Sequence, residues 1–150
     1  SFHGGAAGVI IAVMLYASSQ KISKLRLLDY VAVTAPVGLF YHGHYHSVVI
    51  APATSNTVAK CAMGISDTLP TNIFAQAGKC RLPSFVFACD TEPEVVTESP
   101  SEWVTLFPRQ VDLEHVERLR RFEPVTVVGT VGGLEASLRE RLACLNASSS

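Results

Sequence analysis

Apolar runs and helical spacings alternate along this chain. Ser47-Val48-Val49-Ile50-Ala51 is a short β-branched run closed by Pro52, and Ser84-Phe85-Val86-Phe87-Ala88-Cys89 is a second. Continuous apolar strands of this kind belong to parallel sheets covered on both faces. Between them the pattern predicts two helices. The first is capped by Ser55 or Asn56 and reaches about Met63 before Gly64; the second covers about Asn72–Ala77 before Gly78. Val95-Val96-Thr97 and Trp103–Phe107 flank Ser99-Pro100-Ser101, which predicts an antiparallel flap. Asp112 then caps a helix with Leu113, Val116, Leu119 and Phe122 on one side. Glu114 with Arg118, and Glu117 with Arg121, are spaced to support its surface. Val125–Val128 reads as a late strand, and Leu134, Leu138, Leu142 and Leu145 mark a final amphipathic helix. Nearer the start, Ala6–Ser18 reads as a helix buried on most sides. Lys21–Pro36 is ambiguous, mixing a Leu25/Leu28 helical spacing with the β-rich run Tyr30–Val33. The alternation as a whole predicts an α/β domain.

Length and composition narrow this picture. The 150 residues suit one domain, residues 1–150, and 48% apolar with 17% charged residues is a globular composition. Twelve basic and 13 acidic side chains leave a formal net charge of −1. No basic field is present to hold nucleic acid and no polybasic tract to hold an acidic membrane. The apolar stretch Gly4–Ala17 is shorter than the roughly 20 residues of a membrane span, and no Lys or Arg precedes it. The expectation is therefore a cytoplasmic protein with no membrane partner. Cys61, Cys80, Cys89 and Cys144 are far apart and lie among apolar neighbours, as reduced, buried thiols do. A nucleotide-binding α/β domain ordinarily opens with a strand, a Gly-rich turn and a helix. Here the chain begins Ser1-Phe2-His3-Gly4-Gly5, so that unit is expected before Ser1. Ser148–Ser150 reads as a frayed end.

The segment Ala51–Thr57 holds the strongest candidate chemistry. Four small polar residues, Thr54 to Thr57, follow a buried strand and open a helix, in the crevice where α/β sheets bind ligands. A cap and a turn account for Ser55 and Pro52, but not for four polar residues in succession. His42, His44 and His46 alternate and in an extended segment would share a face, as metal ligands can. They sit among Tyr41 and Tyr45 with no acidic partner, so no metal is assigned. Asp90, Glu92 and Glu94 read as solvated loop carboxylates rather than paired acids, and Trp103 as a core or interface residue rather than a stacking lid.

Pro52-Ala53-Thr54-Ser55-Asn56-Thr57 resembles the Pro-Ala-Ser-Ala-Asn-Thr motif of the homo-oligomeric flavin-containing cysteine decarboxylase superfamily, and Gly64–Asn72 resembles its Gly-x-x-Asp-x-Leu-x-Thr segment. Pro36–Tyr45, Phe74–Lys79 and Val111–Arg121 extend the likeness toward a redox branch, the archaeal-type flavoproteins and acceptor-type dihydromethanopterin reductase. The resemblance implies a Rossmann-like (flavodoxin-like) fold that assembles from trimers, with flavin mononucleotide (FMN) held near a subunit boundary. It implies Ala53, Thr54, Ser55, Asn56 and Thr57 as flavin contacts, with Ser66, Asp67 and Thr68 in an adjoining loop, and leaves His3, Gly4 and Gly5 as possible contributors. It argues against decarboxylation. The position of the decarboxylases' catalytic His holds Gly38, and their Pro-Ala-Met-Asn segment reads Ala88-Cys89-Asp90-Thr91. The implied activity is transfer of electrons from FMN to a pterin in one-carbon metabolism. The alternatives are an FMN electron carrier served by a ferredoxin-like donor and, further off, a flavin prenyltransferase or decarboxylase relative.

Overall fold

The computed structural model describes residues 8–12, 37–43 and 45–148, the first strand and residues 37–39 by their backbone alone. Strands β1 (Gly8–Ala12), β2 (Tyr45–Ala53), β3 (Ser84–Ala88) and β6 (Val125–Val128) form one sheet in the order β1-β2-β3-β6, with every neighbouring pair parallel. A second, antiparallel ribbon joins β4 (Val95–Glu98) to β5 (Trp103–Leu106). Helix α1 (Ser55–Met63) and helix α2 (Leu69–Lys79) connect β2 to β3. Helix α3 (Gln110–Arg120) leads into β6, and helix α4 (Val131–Ser148) follows it.

Strand alternation decides what each face buries. On one face Val48, Ile50 and Val86 join Val58, Cys61 and Ala62 of α1, Ile73, Phe74 and Ala77 of α2, and Val116 and Leu119 of α3 in a single core. Ser47, Val49 and Phe85 are buried on the other. There α4 crosses: Arg141 Nε donates to Ser47 Oγ at 3.1 Å and Nη2 to the His46 carbonyl at 2.9 Å. Burial and this guanidinium hold the His46 imidazole below the ordinary histidine range. The α/β class, the parallel sheet with helices on both faces and the antiparallel flap are those the hydrophobic pattern predicts.

Several local expectations are corrected. Gly8–Ala12 is a strand, not part of a helix, because Val9-Ile10-Ile11 is a β-branched run that pairs with β2. The rest of the predicted Ala6–Ser18 helix, Lys21–Pro36 and His44 lie outside the described residues. His42 ends a 3-10 helix, Val37–His42, so it does not continue the extended run to His46. Strand β2 passes through Pro52, which has no amide to donate, at the point where its register with β3 shifts between Ile50 and Ala53. Helix α2 starts earlier than Asn72, since Thr68 and Thr71 form a reciprocal cap, and it runs past Gly78; the left-handed residue is Arg81, at φ 55°. On α3 the two predicted ion pairs are replaced: Arg118 donates to the Ala62 carbonyl, Glu114 accepts from Gln110, and Glu117 pairs with Arg120. Cys89 and Cys144 are exposed rather than buried, and all four thiols are free. Of the core-or-interface expectation for Trp103, its 70% exposure removes the core and leaves the interface.

Asp112 is the third residue of its helix and not its cap. It accepts from the Arg109 backbone amide at 3.0 Å, from Arg109 Nε at 2.9 Å and from Nη2 at 2.7 Å. These bonds, above all that to the guanidinium, hold its carboxyl below the usual aspartate range. A depressed folded pKa adds stability that is complete above the unfolded value and is lost as pH falls through the folded one. Asp112→Asn is expected to destabilise the chain by about 1 kcal/mol near pH 7. In urea titrations the difference between the two proteins should shrink as pH falls below the usual aspartate range; a difference that stays constant on acidification would refute the coupling.

A candidate site at the carboxyl ends of two central strands

The β2–α1 junction is built by Thr54. Its backbone is extended (φ −69°, ψ 160°), and its side chain accepts from the Thr57 amide at 3.4 Å, so Thr54 caps α1 rather than Ser55 or Asn56. Its carbonyl takes the Val58 amide at 2.9 Å. With the cap assigned to Thr54, the side chains of Ser55 and Asn56 are released for other partners. Their amides, the first two of the helix, have no acceptor within it. Ser55 is half-buried and Asn56 exposed, whereas Ala53 and Thr57 are buried.

The neighbouring strand closes one side. The Cys89 amide donates to the Ala53 carbonyl at 3.0 Å, holding the ends of β2 and β3 together. Immediately beyond, Ser55 Oγ donates to Asp90 Oδ2. Thr91 then fills the space beside Gly129, where an added Cβ would lie 2.4 Å from Thr91 Oγ1. Cys89 is exposed, yet packing about its sulfur and the adjacent Asp90 charge hold the thiol above its ordinary range. Asp90, which reads from the sequence as a solvated loop carboxylate, is thus a neighbour of the candidate site. Its signal was its place, directly past the end of the strand paired with β2.

Ser66, Asp67 and Thr68 stand past the other end of α1, beyond Gly64. Lys60 Nζ binds both Asp67 oxygens at 2.9 Å, tying the loop back to α1, and Thr68 caps α2. Ser66 lines a cavity of about 330 Å³ with Cys61, Thr71, Phe74, Lys79 and Phe122. The eight candidate residues thus form two groups, one at each end of a nine-residue helix. Among the described residues no group of three or more His, Cys, Asp or Glu side chains is placed to hold a metal ion. No helix among them is long and apolar enough to cross a membrane.

The start of α1 presents two helix-terminal amides, a hydroxyl and a carboxamide within two residues. That mixture of donors and acceptors fits the polar edge of a flat heterocycle carrying alternating carbonyl and N–H groups, as a flavin does.

Comparison with known proteins places the chain in a family. Residues 14–148 match the family model described as Flavoprotein, and the chain belongs to that family. It is 64% identical to the solved structure of Burkholderia xenovorans DmrB in complex with FMN, described as a cubic protein cage for redox transfer. That likeness has a TM-score of 0.71 and covers 79% of this chain and 66% of that one. It is 38% identical over 96 residues to dihydromethanopterin reductase (acceptor) of Methanosarcina mazei, covering 57% of this chain and 40% of the reductase. A shorter likeness, 54% over 41 residues, is to a phosphatidylglycerol–prolipoprotein diacylglyceryl transferase of Caulobacter vibrioides; it spans 27% of this chain and 14% of the transferase. The chain spans half or less of the curated relatives it matches, at 50% and 40% for two of them.

Proposed function

We propose that this chain binds FMN at the carboxyl ends of β2 and β3 and serves as a flavin-dependent oxidoreductase whose acceptor is a dihydropterin. The observation that carries this reading is the exposed Asn56 beside half-buried Ser55 at the start of α1, both spared from capping by Thr54. Ser55 and Asn56, with their amides, hold the pyrimidine edge of the ring, and buried Ala53 and Thr57 fix the turn that presents them. Ser66, Asp67 and Thr68 form the adjoining loop, held in place by Lys60. Bound FMN would supply the two-electron chemistry, taking electrons from a donor and passing them to the pterin; the protein binds, orients and tunes it.

Self-association belongs to the same reading. Val96, Trp103, Leu106 and Phe107 of the ribbon and its flank are 60%, 70%, 49% and 72% exposed. A two-stranded ribbon is marginal alone, and this apolar surface is suited to burial against a second copy in a homo-oligomer built from trimers.

The test is direct. Purified protein mixed with FMN and passed through a desalting column is expected to retain a visible flavin spectrum. With a chemical reductant it should then convert a dihydropterin to the tetrahydro form, consuming two electrons and two protons. A colourless protein at high concentration would overturn the flavin reading. Retained colour without pterin reduction would overturn the substrate and leave an electron carrier.

A further inference from the structure

The carboxylate beside the candidate flavin edge has a more specific consequence than closing the crevice. Asp90 is held on both sides. Before it, the Cys89 amide is bonded to the Ala53 carbonyl at 3.0 Å. After it, Thr91 packs against the glycine backbone at Gly129, with no room for a side chain there. Ser55 Oγ spends its single proton on Asp90 Oδ2. The hydroxyl is thereby left with lone pairs alone to offer, an acceptor for an imide N–H. Among the described residues the ion pairs involve Asp67, Asp112, Glu117 and Glu135, and none involves Asp90.

We propose that Asp90 is the positioning residue of this site: it fixes the Ser55 hydroxyl as an acceptor, and its charge, which no cation among the described residues pairs, makes the site favour oxidised over reduced FMN. The proposal rests on the flavin reading above. Reduction adds electron density to the ring, and a fixed carboxylate nearby opposes it through a partly desolvated path, where Coulomb interactions outlast those in water. Burial first, and the Asp90 charge second, hold the neighbouring Cys89 thiol above its ordinary range. A purely structural role is the competing account, since a carboxylate near a helix N-terminus also steadies the helix.

Two substitutions separate these accounts. In Asp90→Asn the amide oxygen still accepts from Ser55, but the charge is gone. The ratio of dissociation constants for oxidised and reduced FMN should move roughly tenfold toward the reduced form, a rise of about 30 mV in the two-electron potential of the bound flavin. Asp90→Ser must move it in the same direction. Ser55→Ala keeps the charge and loses the hydroxyl, so both forms should weaken together and their ratio should hold. Without flavin, labelling of Cys89 by an aromatic disulfide, resolved by mass, should be faster in Asp90→Asn because loss of the like charge lowers the thiol pKa. An unchanged FMN ratio in an Asp90→Asn protein that binds FMN and labels faster at Cys89 would overturn the proposal while leaving the flavin site standing. Wild-type protein that binds neither form would overturn both.

Discussion

Asn56→Asp is expected to strip the protein of flavin while leaving its fold intact. Asn56 is exposed at the second position of α1, and no bond within the helix needs its side chain. If Asn56 holds the pyrimidine edge as proposed, its carboxamide N–H can donate to a ring carbonyl oxygen. The substitution replaces that donor with an acceptor of nearly identical shape and sets a negative charge against the oxygen. Losing a bond of this kind and leaving the partner opposed costs about 2 kcal/mol, roughly a 30-fold weaker Kd. Fluorescence titration with FMN reads the affinity, and thermal denaturation without FMN reads the fold. The melting temperature without ligand should match wild type, because an acidic residue in the first turn suits the helix dipole. Only the ligand-induced rise in melting temperature should shrink. Equal FMN affinity in the two proteins would remove Asn56 from the site.

The contrast between Asn56 and Asp90 shows which parts of the candidate site were legible in the amino-acid order. Thr54–Thr57 stood out because four polar residues after a buried strand exceed what one cap requires. The structure sharpens this by showing that one of them, Thr54, does all the capping. Asp90 carried no such mark. An acid after a strand is ordinarily a solvated loop residue, and its meaning comes from register, which brings Ala53 opposite Ala88 and so Ser55 within reach of Asp90. Pairing between strands more than 30 residues apart is not encoded in either segment alone. The same holds for Arg141 and Ser47, whose contact joins α4 to the start of β2 across most of the chain. Helix limits erred where capping side chains outranked glycine. Thr68 and Thr71 start α2 before Asn72, and Gly78 sits inside its last turn because reversal is deferred to Arg81. The strand at Gly8–Ala12 was missed for another reason: a short apolar run has no period long enough to separate helix from strand.

Ile50→Ala is expected to produce the largest loss of stability, and its effect on flavin should be of a different kind. Ile50 is fully buried in the strand that ends at the candidate site, inside the core shared by α1, α2 and α3. Removing its branched end deletes contacts in the core that α1, α2 and α3 share with the sheet, so relaxation into the gap is limited. The cost is about 3 kcal/mol, within the range for buried Ile-to-Ala changes. Against the 5–15 kcal/mol that holds a typical domain, this is a large share. In urea the midpoint should fall with the slope unchanged, the mark of altered stability and not of an altered denatured state. Where the variant remains folded, in low urea and at low temperature, its Kd for FMN should stay within a fewfold of wild type, because the Ser55 and Asn56 groups are untouched. Asn56→Asp thus weakens the ligand without the fold, and Ile50→Ala the fold without the ligand. A loss below 1 kcal/mol for Ile50→Ala would mean that α1 and α2 do not close over this face of β2. The turn that presents Ser55 and Asn56 would then lack the rigid strand on which the whole site depends.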